Sequence, residues 1–241
     1  MTLIVGILCS DGVVMASDSA ATYSTGFIQT IGQQEVTKVR KLADAVLFSS
    51  TGAIGISQIL AEAVEKLWRD KKFTTSPADA MQKISEEVRK GVGNVLQTAS
   101  QASAGLQSVA QVPGILQLTA ALVPIIGQQA AGMTALAKIM VALPVKKKPS
   151  LFQFDYSGAP EEATSQLPFV ALGVGQPIAD PFLAFLKRIL WKDRQPTVAG
   201  GRFAAAWTVK HVSETIPGGV GGNLQMASLL MKSGEPLWLR I

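Results

Sequence analysis

A threonine at position 2, directly after Met1, can become a nucleophile that carries its own base. Its small side chain permits methionine aminopeptidases to remove Met1. The freed α-amine, with a pKa of about 7.7–8.0, is then substantially neutral at physiological pH. It can accept the proton of the neighbouring hydroxyl, which attacks poorly unaided. Such chemistry needs the mature N-terminus. The surrounding chain supplies a third group. Two β-rich runs flank Ser10-Asp11-Gly12, and Asp-Gly between apolar runs provides the positive φ of a tight hairpin turn. Counting back along that ladder from the turn brings Asp18 to within a couple of residues of Thr2, on the neighbouring strand. A hydroxyl, an amine and a carboxylate converge there.

Asp18-Ser19-Ala20-Ala21-Thr22, then Thr37-Lys38-Val39-Arg40-Lys41-Leu42, then Ser50-Thr51-Gly52-Ala53 follow in order. This order and spacing resemble the proteasome β-subunit and HslV peptidase family. The likeness covers residues 2–97 well and 138–241 more loosely. It is strongest toward the compact proteasome homologues of beta-proteobacteria, in which the mature threonine follows the start methionine without a long propeptide. Carried onto this sequence, the resemblance implies Thr2 as nucleophile, Lys38 as active-site lysine, Asp18 as its carboxylate partner and Gly52 as the oxyanion-binding amide. It also implies Thr22 and Ser50 beside the substrate. The chemistry suits these types. A lysine beside the threonine oxygen stabilises its anion, a carboxylate keeps the lysine charged and oriented, and a glycine lets a carbonyl approach its N–H closely. An ordinary strand salt bridge is the plainer reading of Asp18 and Lys38.

Two places depart from the family pattern. The family's Gly-Ser-Gly turn beside the threonine is Gly173-Val174-Gly175 here, and its Asp-x-x-Ser-Gly run is replaced by Pro217-Gly218-Gly219-Val220-Gly221. Losing these polar partners weakens the positioning of the N-terminal amine. The resemblance therefore implies a threonine endopeptidase in stacked homo-oligomeric rings, hexameric or heptameric, that cleaves polypeptides through an acyl-enzyme, with an ATP-dependent unfoldase as a conceivable partner. The alternatives are a catalytically weak or degenerate structural ring subunit, or an N-terminal-nucleophile amidohydrolase acting on a small amide. No metal or organic cofactor is implied.

Composition is consistent with one large domain over 1–241. A single Cys and a single His, Cys9 and His211, exclude a disulfide framework, a His-rich metal site and a Ser-His-Asp triad. Cys9 reads as a small buried hydrophobe. The net charge of +5 is scattered, and Lys146-Lys147-Lys148 falls where a hairpin turn belongs, so nucleic acid is not expected. No secretory signal pattern opens the chain, which gives a cytoplasmic expectation.

Positioning falls to a second hairpin of strands at 36–42, which would carry Lys38, and 45–51 about Ala43-Asp44, expected to return Gly52 to the edge of the sheet of Thr2. Helices are expected from Ile56 to Lys72 and from an N-cap at Ser76, the latter with Met81, Ile84, Val88, Val92 and Val95 on one face. Further strands are expected at Ala137–Val145, Leu151–Tyr156 and Phe169–Leu172. A helix with Ile178, Phe182, Phe185 and Ile189 inward follows, then one over about Gly201–Ser213 and two closing strands. Residues 91–137 carry no charge until Lys138, but prolines and glutamines interrupt every window of bilayer length, so no membrane contact is expected. About 98–134 reads as a helical insertion covered by other subunits. The resemblance implies an α+β, four-layer αββα sandwich of two antiparallel sheets between helix layers, the N-terminal-nucleophile hydrolase fold.

Overall fold

The computed structural model describes residues 2–24, 29–73, 75–110, 137–192, 194–216, 219–232 and 235–240. Two five-stranded antiparallel sheets form its centre. The first is built on the hairpin of β1 (Leu3–Cys9) and β2 (Gly12–Ser17), in which Cys9 pairs with Gly12 across the two-residue turn Ser10-Asp11; the hairpin stands where expected, but none of Ser10, Asp11 and Gly12 takes the positive φ expected of an Asp-Gly turn. A small hairpin of β3 (Ala20–Ser24) and β4 (Gln29–Glu35) stands apart as a two-stranded sheet. β5 (Arg40–Leu42) and β6 (Val46–Gly52) begin the second sheet, followed by α1 (Ile54–Arg69) and α2 (Pro77–Ala110). The chain then continues through β7 (Ala137–Val145), β8 (Lys148–Phe154), β9 (Pro160–Glu162) and β10 (Phe169–Gly173). α3 (Gln176–Leu186) runs into a π-helical turn at Lys187–Trp191, and α4 (Val198–Thr215), β11 (Gln225–Lys232) and β12 (Glu235–Arg240) complete the order. The first sheet reads β10-β1-β2-β11-β12 and the second β5-β6-β7-β8-β9.

Strand alternation sets the layers. Leu3, Val5 and Ile7 of β1 pack with Ala179 and Leu183 of α3 and Ala205 and Val209 of α4. Ile4 and Leu8 point the other way and meet Met140, Ala142 and Leu151 of the second sheet. On that sheet's far side Ile139, Val141, Phe152 and Phe154 pack against Leu60, Val64, Ile84 and Val88 of α1 and α2. Helices, sheet, sheet, helices is the expected four-layer sandwich. Gly6 marks a close sheet-to-sheet approach, since a Cβ there would lie 2.6 Å from the Met140 sulfur.

Helix α2 starts as expected, with the Asp79 amide donating to Ser76 Oγ at 3.1 Å. It continues unbroken past Val95 to Ala110, so the first part of the expected insertion extends this helix. Residues 111–134 of the insertion lie outside the described residues. Three expectations are corrected. Gly52 closes β6 in the second sheet, not in the sheet that follows Thr2. The inward face of α3 is Ala179, Leu183 and Leu186, whereas Phe185 and Ile189 are 43% and 51% exposed. Residues 179, 183 and 186 keep ordinary helical spacing, so the buried stripe is centred one residue later than expected, with Ile178 and Phe182 half-buried against the same cluster and the π turn beginning only at Lys187. Lys38 lies in the segment before β5 and not on a strand. Among the described residues, no helix is long and apolar enough to cross a membrane.

Candidate active site

β1 and β2 register Ile4 against Ser17, which leaves Asp18 opposite Leu3 just beyond the last pair. The Leu3 amide, the first N–H after Thr2, donates to Asp18 Oδ1 at 2.9 Å. Lys38 Nζ donates to the same oxygen, also at 2.9 Å, and the Gly221 amide donates to Oδ2 at 3.3 Å. Asp18 is 1% exposed, the Lys38 side chain 8%, and Thr2 9%. One carboxylate thus ties the backbone at Thr2 to the lysine and to the loop before β11. A buried pair is maintained only when each charge keeps further partners, and Asp18 has two backbone donors besides Lys38.

Lys38 is held from its backbone as well. Its N–H donates to Gln225 Oε1 at 2.8 Å, its carbonyl accepts from Ser49 Oγ at 2.8 Å, and Gln225 Nε2 donates to the Val36 carbonyl at 2.7 Å. Burial pushes the Lys38 ammonium below its ordinary value, while the hydrogen bond and the charge of Asp18 oppose that shift. The result is a lysine that stays paired yet gives up its proton more easily than one in water. Ser49 and Gln225 were not singled out in the sequence. The one signal for Ser49 is a hydroxyl run inside an otherwise apolar strand, and for Gln225 a lone amide at a strand start.

The approach to Thr2 is shaped by Gly173, paired with Leu3 and held at φ 101°. A Cβ there would lie 1.9 Å from the Thr2 carbonyl oxygen, so only glycine fits. The loop before β11 grips Ser19 in turn. The Gly221 carbonyl accepts from the Ser19 and Ala20 amides at 3.2 and 2.9 Å, and Ser19 Oγ accepts from the Asn223 amide at 2.7 Å. Val174 is 45% exposed, whereas Val220 is buried in the apolar cluster under α3 and α4. Pro217 lies outside the described residues.

Gly52 ends β6 at φ 107°, opposite Ala137, three residues beyond the Ser49 that holds Lys38. Ser50 is half-buried on the same strand, opposite Ile139. Thr22 sits on β3 opposite Ile31, its side chain outside the described part. The structure therefore joins Asp18, Lys38 and the backbone at Thr2 by direct bonds. Gly52 and Ser50 are carried on the strand that supports Lys38.

Residues 2–107 match the family profile described as "Proteasome subunit". A proteasome subunit beta from Archaeoglobus profundus is 26% identical over 181 residues, covering 74% of this chain and 63% of that protein. The chain thus spans less than two thirds of the length of that curated relative. Among solved structures, Anbu (ancestral beta-subunit) from Yersinia bercovieri superposes with a TM-score of 0.65 at 16% identity, covering 99% of this chain and 86% of that one. A mutant of Anbu from Hyphomicrobium sp. strain MC1 gives 0.62 at 15% identity, covering 100% and 87%. The likeness to these two structures is one of fold, the two antiparallel sheets between helix layers.

Proposed function

We propose that this chain is a proteasome-like threonine peptidase, active once Met1 is removed. The observation that carries the reading is the buried Asp18–Lys38 pair bonded to the first amide after Thr2. In the proposed reaction Thr2 Oγ1 attacks the substrate carbonyl carbon and its proton passes to the Thr2 α-amine. Lys38 favours the alkoxide by its charge, and the Gly52 N–H receives the developing oxyanion. Collapse breaks the C–N bond, with the proton delivered to the leaving amine. Water then hydrolyses the ester by the same route and restores Thr2. Every group used belongs to the chain, so no cofactor is called for.

Thr22 and Ser50 are assigned to substrate contact. Stacked homo-oligomeric rings of six or seven subunits, polypeptide substrates, a cytoplasmic setting and an ATP-dependent unfoldase belong to the same proposal, as does a subunit-contact role for the 98–134 insertion. A second reading, a weakly active or structural ring subunit, is favoured by Val220, whose side chain fills the core where a polar partner would be useful. Turnover of short fluorogenic peptides separates the two. The peptidase reading expects hydrolysis that disappears in Thr2→Ala while the assembly mass, measured by light scattering, is unchanged. Equal rates in both proteins would overturn it.

A further inference from the structure

At the end of the second sheet far from Gly52, a cavity of about 520 Å³ opens between the β5–β6 turn, the end of α1 and the β7–β8 turn. Strand β6 separates it from Gly52 by about 20 Å at roughly 3.3 Å per residue. Its floor is aromatic. Trp68 and Phe73 lie with ring centroids 6.3 Å apart, and Pro144 adds an apolar wall. Its rim is cationic, with Arg69, Lys71 and Lys146. Of the acids nearby, Asp44 lines the cavity and accepts from Trp68 Nε1, Glu65 is paired with Arg69, and Asp70 stands between Arg69 and Lys71 in the chain.

The backbone under these cations is the unusual part. Among the described residues five non-glycines have positive φ: Ala43, Lys71, Lys146, Lys147 and Lys192. Three of them, Ala43, Lys71 and Lys146, line this one cavity, and Lys147 follows directly. Lys71 ends α1 with its amide on the Trp68 carbonyl and the Lys72 amide on the Leu67 carbonyl, the helix-ending arrangement whose left-handed position ordinarily takes glycine. Lys146 and Lys147 form the two-residue turn between paired Val145 and Lys148, where Asn-Gly is preferred. Lysines from two unrelated turns thus occupy positions that glycine would fill with less strain, and both turns border the same cavity. Strain retained in this way points to a need for the side chains.

We propose that this cavity binds a small organic anion with an apolar or aromatic body, the body resting on Trp68 and Phe73 and the anionic group held by Lys71 and Lys146. Its size falls within the range of small-molecule sites, and its lining divides between apolar groups and charges, as an amphipathic anion requires. Naphthalene-1-acetate is a suitable probe, and uncharged naphthalene-1-acetamide is its control, titrated calorimetrically into the full chain. Lys71→Gly/Lys146→Gly suits the backbone at both positions, so its melting temperature should not fall. The acetate should bind wild type at least tenfold more tightly than the amide does, and the double variant should lose that margin. Absence of acetate binding, equal binding of acetate and amide, or unchanged acetate affinity in the double variant would each overturn the proposal. A change of oligomeric mass in the double variant would overturn it in favour of an interface between copies of this chain.

Discussion

The two flanks of Thr2 are built on opposite principles. On one, Asp18 and Lys38 are buried and hold four hydrogen bonds to neighbouring backbone, amide or hydroxyl groups besides their mutual one: Leu3 and Gly221 to the carboxylate, Gln225 and Ser49 to the lysine backbone. On the other, Val174 is half exposed and Val220 is packed in the core. A buried ion pair contributes little net stability over an apolar substitute, and its partial removal is costly. The chain therefore keeps on the first flank a device that folding alone does not require, and fills the second with ordinary packing. The proposed function depends on the first.

The largest expected effect comes from breaking the pair. Lys38→Met leaves Asp18 buried without its cation, and Asp18→Asn leaves the lysine charge alone. Each should cost about 3–5 kcal/mol in denaturant unfolding, with part of that recovered in the double variant. Peptide turnover should fall about 10²–10⁴-fold in Lys38→Met. Single variants as stable as wild type would show that the pair is no more than a solvated bridge. Gly173→Ala is next. It forces a Cβ onto the Thr2 carbonyl at positive φ, with an expected loss of about 2–4 kcal/mol. Gly221→Ala is the control, because a Cβ there meets nothing within 4 Å, and it should change stability by less than about 0.5 kcal/mol.

A pH titration sharpens the comparison further. Lys38 sits below its ordinary 10.5, so the folded protein loses this proton before the unfolded chain does. Between the two values the unfolded state binds more protons, and stability should rise with pH across that window, a slope absent from Lys38→Met. Activity should rise as the α-amine becomes neutral near pH 8 and fall again before pH 10.5. A plateau continuing beyond 10.5 would mean that the lysine charge is not used. The smallest expected change is Val174→Ser, within about 0.5 kcal/mol of wild type in stability but faster in turnover if an outer hydroxyl is what the second flank lacks.

Much of this was legible in the residues, for physical reasons that differ between elements. The polar break at Ser10-Asp11 between two apolar runs located the first hairpin, although its turn uses no positive φ, and register then placed Asp18. Ser76 and Pro77 fixed the start of α2. The β3–β4 hairpin was missed because Gln29, Gln33, Gln34 and Glu35 break any alternation. The turn also does something no local pattern reveals, since Asp11 Oδ1 accepts from the Val198 amide at 2.7 Å and so caps α4. Gly52 was assigned to the wrong sheet because a hairpin pattern states which strands pair with each other, not which sheet they join. Gln225 acts on Lys38 across 187 residues, beyond the reach of spacing arguments, and Ser49 acts from the next strand through a hydroxyl-to-backbone bond that no side-chain pattern marks.

The central claim is that Thr2, freed of Met1, is the nucleophile. Intact-mass spectrometry of the purified protein after exposure to a peptidyl epoxyketone tests it most directly, because that reagent closes a ring on a threonine hydroxyl and its own α-amine together. The account predicts loss of one methionine, a single adduct mapped to Thr2, and no adduct in Thr2→Ala. A protein that lacks Met1 yet takes up no reagent, or an adduct that persists in Thr2→Ala, would contradict it.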